Sequence, residues 1–498
     1  MSTVTELNES TKSVTPDFFP LRLSDFEYYM LTDDRPSHPM VFVMVVHVSG
    51  TISEAPLRAS LRELIASHPL HGCRIQQLPG KGWCWVPVRL SEERVSKILH
   101  WETVAEVTAR EFVPPVVSID IRNEPGIRVD VFAADHWAQV VVYLHHACCD
   151  GIGALQLIGE LFARYGQKTA PPEAKRPDFE LPNPALLLER ENYTTGYSST
   201  QRQKKSLTTI IGKISRLLFR APVILASSAE ISSGDPARKV HANRSLNPFD
   251  QSAIRSHLLP KSLHRTLRAV ANQLQVSLND VLVREMTLHI RDWNRRAGLS
   301  FGRRWIRLAI PLSMRTSRHD NMSAANVVSY ALVTRREADC EDPDELLKSI
   351  HQQTSNVLFN REGIVCLKLF RVLRKIPGAM KMFLNYKTVL STAVMANVGD
   401  VRRRFRGRFP LQKGRWIAGN VVVEQIHGVA PVRPNTLAAM SIGDYAGELS
   451  ISLRTDGVML NAEDSHQFLT EFLQRLQTLT EHSNFPDTEA LEPDVPIE

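Results

Sequence analysis

The chain has 498 residues, 43% of them hydrophobic, and a formal net charge of +7 from 60 Lys and Arg against 53 Asp and Glu. That length is enough for more than one core and for roughly two domains of a sizeable globular enzyme. The six cysteines (Cys73, Cys84, Cys148, Cys149, Cys340, Cys366) have no framework spacing, which excludes a disulfide scaffold and points to a reducing cytoplasm.

Residues 1–16 are polar and rich in Ser and Thr with no apolar h-region, so they are expected to be disordered and to carry no secretory signal. A first α/β lobe is predicted over 17–168. The apolar stretch Val41 to Val48 is far short of the roughly 20 residues that a spanning helix needs, and reads as a buried strand. A helix (Glu54 to Ser67), strands (Cys73 to Val88, Gly126 to Phe132, Val140 to Leu144) and a helix after Gly151 follow.

The proline- and charge-rich run Ala170-Pro-Pro-Glu-Ala-Lys-Arg-Pro177 and the later Ser232-Ser-Gly-Asp-Pro236 mark 169–250 as a crossover linker with surface helices. A second lobe is predicted over 251–482. It has helices at Ser262 to Leu274 and Leu278 to Ala297, and strands at Trp305 to Leu312 and Val327 to Val333. The acidic, proline-containing tail 483–498 reads as disordered.

The positive charge is clustered. In Lys204 to Arg220, apolar Leu207, Ile210, Ile211, Ile214, Leu217 and Leu218 recur at helical spacing between basic residues, and Leu367 to Lys387 has a similar mixture. Such segments either lie at an anionic membrane or lipid-droplet surface or pack their apolar faces on the protein. A third cluster, Arg402 to Arg408, is a candidate for the phosphates of a coenzyme. Few aromatics interleave with these clusters and no nucleic-acid motif accompanies them, so no nucleic-acid partner is expected.

The most informative stretch is Tyr143-Leu-His-His-Ala-Cys-Cys-Asp-Gly-Ile-Gly153, between an apolar strand and a helix, with Asp150 at the N-cap position. Neighbours on a strand face opposite ways, so one of His145 and His146 is structural and the other is free for chemistry. A plain hydrogen-bonded histidine pair and a mere helix cap are the rival readings. Metal binding is disfavoured: Cys148 and Cys149 are too crowded along the chain to converge on one ion, and no second Cys/His pair has zinc-ligand spacing.

The run His145-His146-Ala-Cys-Cys-Asp150-Gly151 resembles the His-His-x-x-x-Asp-Gly signature of the CoA-dependent acyltransferase superfamily. That superfamily includes chloramphenicol acetyltransferase, the condensation domains of nonribosomal peptide synthetases, and the wax ester synthase/diacylglycerol acyltransferase family. Similarity to the wax ester synthase branch extends from about residue 20 to about residue 480. It rests on Leu23-Ser-Asp-Phe-Glu27, His38-Pro-Met40, Asn279-Asp280, Pro311-Leu-Ser-Met-Arg315 with Asn326 following, Met395-Ala-Asn397-Val-Gly399, and Tyr445-Ala-Gly447 with Asp456. The chain departs from that branch in having Pro125-Gly-Ile127 where Pro-Leu-Trp is usual, and Ala396 in place of Ser.

The resemblance implies a mixed α/β, α+β fold of two chloramphenicol-acetyltransferase-like lobes with an active-site tunnel between them. It makes His146 the general base, His145 its structural neighbour, and Asp150 a loop-ordering residue acting through an arginine, for which Arg315 is the candidate. Gly151 is expected at a tight turn where a side chain would block the tunnel. An oxyanion needs donors from the opposite lobe, and Asn279 and Asn397 are the candidates, with Ser313 behind them.

The expected reaction moves an acyl group from acyl-CoA to the hydroxyl of a hydrophobic alcohol or lipid, without metal or cofactor. Its alternatives are a condensation-type N- or O-acyl transfer from a carrier protein acting in trans, and a non-catalytic lipid-binding or scaffold role. The expected location is cytoplasmic, with or without a membrane surface.

Overall fold

The computed structural model describes residues 16–193, 220–227, 254–299, 304–359, 363–385, 389–457 and 459–481. The linker segment 204–219, most of the first basic amphipathic stretch, lies outside them, as do 1–15 and 482–498.

The first lobe contributes β1 (Leu21–Arg22), β2 (Val41–Ser49), β3 (Cys73–Leu78), β4 (Gly82–Pro87), β5 (Leu99–Thr103), β6 (Ile127–Ala133) and β7 (Trp137–His145). The remainder of the chain contributes β8 (Ile254–Leu259), β9 (Ile306–Ser313), β10 (Val328–Arg335), β11 (Ala393–Asp400), β12 (Leu411–Gln412), β13 (Arg415–Ala418), β14 (Val421–Val429), β15 (Ala438–Tyr445) and β16 (Glu448–Thr455). A six-stranded sheet in the order β10-β9-β11-β15-β16-β8 forms the second lobe.

The seven-stranded sheet of the first lobe runs β12-β13-β14-β2-β7-β6-β5. Strands β12 to β14, far along the chain, therefore complete the sheet begun by β2, pairing antiparallel from Val422 with Ser49 to Val429 with Val43. Hydrophobic alternation forms a strand but does not name its neighbour.

Strands β2 and β7 are buried on both faces, which their β-branched run favours. One face carries Phe42, Met44, Val46, Val140, Val142 and Leu144, packed under the helices Glu54–Ser67 and Gly151–Thr169. Gly159 of the second helix lets the Phe405 ring lie so close that a Cβ there would fall 2.0 Å from Cε2. Phe405 in turn stacks edge-on with Phe409 and Trp416. Gly159→Ala is expected to cost about 1–3 kcal/mol by overpacking, readable as a lower chemical-denaturation midpoint.

The second basic stretch is two helices, Ile364–Lys375 and Ala379–Phe383, broken at Gly378 with φ 75°. Leu367, Phe370 and Met380 pack in one core cluster with Phe26, Tyr29 and Met30 of the helix Asp25–Asp33. These residues pack on the protein, the second of the two readings the sequence offered for this stretch, while Val372 and Met382 stay exposed. Among the described residues no helix is long and apolar enough to cross a membrane.

Candidate active site

Strand β7 ends at His145, opposite Val41 of β2. One residue on, the backbone N–H of His146 donates to the Met40 carbonyl at 2.7 Å. From the second lobe, Asn326 Nδ2 donates to the carbonyls of His146 and Ala147, each at 2.8 Å. The turn is thus pinned from both lobes.

The two histidines part as strand alternation requires. His145 is fully buried: its Nδ1 accepts from the Ala147 N–H at 3.1 Å, and its Nε2 faces Asp34 Oδ2 at 3.5 Å. Asp34 also accepts from the Met40 N–H at 2.9 Å. Burial opposes ionisation of Asp34, yet the His145 ring and the Met40 N–H hold its carboxyl below the ordinary value. Asp34 escaped the sequence reading because nothing in its local pattern marks a partner more than a hundred residues away.

His146 keeps partial exposure, against Phe42 at a ring-centroid distance of 5.0 Å and Phe26 at 6.3 Å. Burial pushes its pKa down, outweighing its own backbone carbonyl and Asp150, which favour the charged ring. The ring borders two chambers between the lobes. The first, of about 170 Å³, is lined also by Gly151, Ser313, Tyr330, Asn397 and Ser441. The second, of about 130 Å³, is lined by Tyr29, Tyr330, Phe370, Phe383 and Ser391 among others.

Asp150 stands at the N-cap of the helix Gly151–Thr169, where its Oδ1 accepts from the Gly153 N–H at 2.9 Å. Arg315 grips both oxygens of the carboxylate, at 2.8 and 2.9 Å, and the Val327 N–H donates to Oδ2 at 2.9 Å. Burial works against the carboxylate, but Arg315 and the two N–H donors keep its pKa below the ordinary value. Asp150 therefore clasps the first lobe to the second.

Gly151 has no left-handed backbone. Its constraint is space, since a Cβ there would meet Val398 Cγ1 at 3.1 Å on the chamber wall. Of the oxyanion candidates, Ser313 and Asn397 line the chamber with His146. Asn279 does not. It lies behind Asn397, accepting from Asn397 Nδ2 at 3.2 Å, next to a capping box closed by Ser277 and Asp280.

In the Arg402 to Arg408 cluster, Arg402 and Arg406 pair with Asp400 at 3.8 and 2.9 Å, and Arg408 pairs with Asp178 at 3.0 Å and with Glu180. No group of three or more His, Cys, Asp or Glu among the described residues is placed to hold a metal ion. Tyr330, which borders both chambers, went unnoticed in the sequence because an aromatic in a β-strand carries no functional signal of its own.

No family model and no curated protein matches the chain. Solved structures do. The first condensation domain of the CDA synthetase aligns with TM-score 0.63 at 14% identity, covering 95% of this chain and 97% of that one. Polyketide synthase associated protein 5 from Mycobacterium tuberculosis aligns with TM-score 0.56 at 16% identity, covering 92% and 98%. The epimerization domain from the third module of tyrocidine synthetase B aligns with TM-score 0.57 at 16% identity, covering 93% and 97%. The chain thus has the mixed α/β, two-lobed, chloramphenicol-acetyltransferase-like architecture of condensation domains.

Proposed function

We propose that the chain is a thioester-dependent acyltransferase of the condensation type, with His146 as general base. The observation that carries this reading is the His146 ring at the junction of two chambers between the lobes, where burial favours the neutral imidazole. Its Nδ1 is buried, so Nε2 is the nitrogen available to substrate.

Nε2 takes the proton of an acceptor hydroxyl or amine as the acceptor atom bonds to the thioester carbonyl carbon. The resulting oxyanion lies toward Ser313 and Asn397 of the second lobe. Collapse breaks the carbon–sulfur bond, and the leaving thiolate recovers the proton from His146.

Likeness to condensation domains favours a carrier-protein donor acting in trans over the wax ester synthase reading, with acyl-CoA as its free counterpart. Chamber size supports the same choice. A cavity of about 150 Å³ holds one benzene, so chambers of about 130 and 170 Å³ suit compact acyl and acceptor groups better than long chains. Aromatic walls favour a hydrophobic acceptor, an alcohol first.

The test is thiol release from acyl-CoA and from acyl-carrier thioesters of short and long chain, with pooled alcohols and amines. Acceptor-dependent release is expected; none from any donor would sink the reading and leave a binding or scaffold role. Phe370, stacked on Tyr29 at 4.5 Å, closes part of the smaller chamber. Phe370→Ala is expected to move the chain-length preference upward by about tenfold in relative kcat/KM, measured by competing short and medium acyl thioesters.

A further inference from the structure

On its other side β14 walls a separate and larger chamber of about 490 Å³, enclosed between β2, β7 and β8, with Ile426, His427 and Val429 bordering both it and the tunnel. The sheet face that leads to it is apolar, with Val43, Val45, Val141 and Tyr143 packed together. At the chamber that pattern breaks: Gln425, His47 and Gln139 lie side by side across β14, β2 and β7. A polar row in an apolar face costs stability unless its groups find partners.

Here they do not. His47 is 6% exposed and makes no hydrogen bond, and its Nδ1 is buried. Gln139 is 1% exposed; its Nε2 donates to the Phe112 carbonyl, but its Oε1 is buried without a partner, as is Trp137 Nε1. The rings form flat walls. His47 stacks on His427 at 5.7 Å and 22°, and the Arg110 guanidinium lies 3.8 Å from the Trp137 ring centre. Burial, then the nearby Arg110, takes His47 down to about 4, and burial, then His47, takes His427 to about 3.

We propose that this chamber binds a nucleotide, its planar base against the histidine and tryptophan rings and its phosphate at the arginine rim. The neutral imidazoles of His47 and His427 and the Gln425 amide, which line the chamber, supply donors and acceptors together. A heterocyclic base edge needs both, whereas a carboxylate only accepts and an ammonium only donates. At the rim, the Arg255 guanidinium meets, among the described residues, only the backbone carbonyls of Ile254 and Ala462, and Glu448 is held by Arg415 at 3.1 Å. Arg415 is shared between Glu448 and Glu424, at 3.1 and 3.3 Å, which leaves Arg255 as the rim cation for a phosphate. The ligand is either a free nucleotide or the nucleotide end of coenzyme A, and the site stands whether or not His146 transfers acyl groups.

The experiment is calorimetric titration of the full chain with adenosine, AMP, coenzyme A and pantetheine, with thermal melting of each variant. His47→Leu is expected to melt higher than the wild type, because an unpartnered buried imidazole is gone. It is also expected to bind AMP at least about tenfold more weakly. Arg255→Ala should weaken AMP and leave adenosine unchanged. Coenzyme A that displaces AMP while pantetheine does not identifies the coenzyme's nucleotide end; AMP that coenzyme A cannot displace identifies a free nucleotide. Absence of adenosine and AMP binding at about millimolar concentration, or equal binding by His47→Leu and by a second folded variant, Gln139→Leu, overturns the proposal.

Discussion

Replacing His146 by alanine is expected to lower kcat for thiol release by about 10²- to 10⁴-fold with an unchanged melting temperature, because the ring faces chambers and not the core. The pH profile carries the same claim. The base works as neutral imidazole, and burial sets its pKa below the ordinary histidine value. Activity should therefore persist under mild acid and fall only as pH drops through that lowered value. A rate limited by an imidazole of ordinary or raised pKa would contradict the assignment, as would a His146→Ala protein that keeps acceptor-dependent release.

Breaking the clasp between the lobes should have the largest effect on stability. Asp150→Asn strands Arg315 and Arg315→Met strands a buried carboxylate, each at an expected cost of about 3–5 kcal/mol in chemical denaturation. The two atoms of each partner meet at 2.8 and 2.9 Å, so the double variant should lose clearly less than the sum of the singles. Additive losses would show that the pair does not act as one unit. The lowered Asp150 pKa gives the pH dependence its sign. The contribution is complete above the carboxylate range of the unfolded chain and disappears as pH falls through the lower folded value.

Local chemistry was legible in the sequence wherever a pattern is short-range. The strand into His145, the Asp150 cap and the helix after it are all contained within Tyr143 to Gly153, and Pro311 to Arg315 announced the second lobe's side of the site. What stayed hidden depends on distant pairing. Asp34 meets His145 only because β2 runs antiparallel to β7, and the fourth and fifth residues of the Val421 to Val429 run, Glu and Gln, mask a strand as a surface segment. Asn279 and Asn397 looked alike as amides near turns; only the packing decides that Asn397 reaches the chamber and Asn279 supports it.

The late arrival of β14 has a consequence for how the chain is made. Ser49 Oγ donates to Glu424 Oε1 at 2.5 Å across 375 residues of sequence, and β2 pairs with β14 along that same edge. Until residue 429 has left the ribosome, one side of β2 presents unsatisfied N–H and C=O groups on a strand of valines, a template for any other extended chain. A fragment ending before β12 should accordingly aggregate or exchange strands with its twin, and supplying residues 411–429 as a separate peptide should rescue it by taking the empty place beside β2.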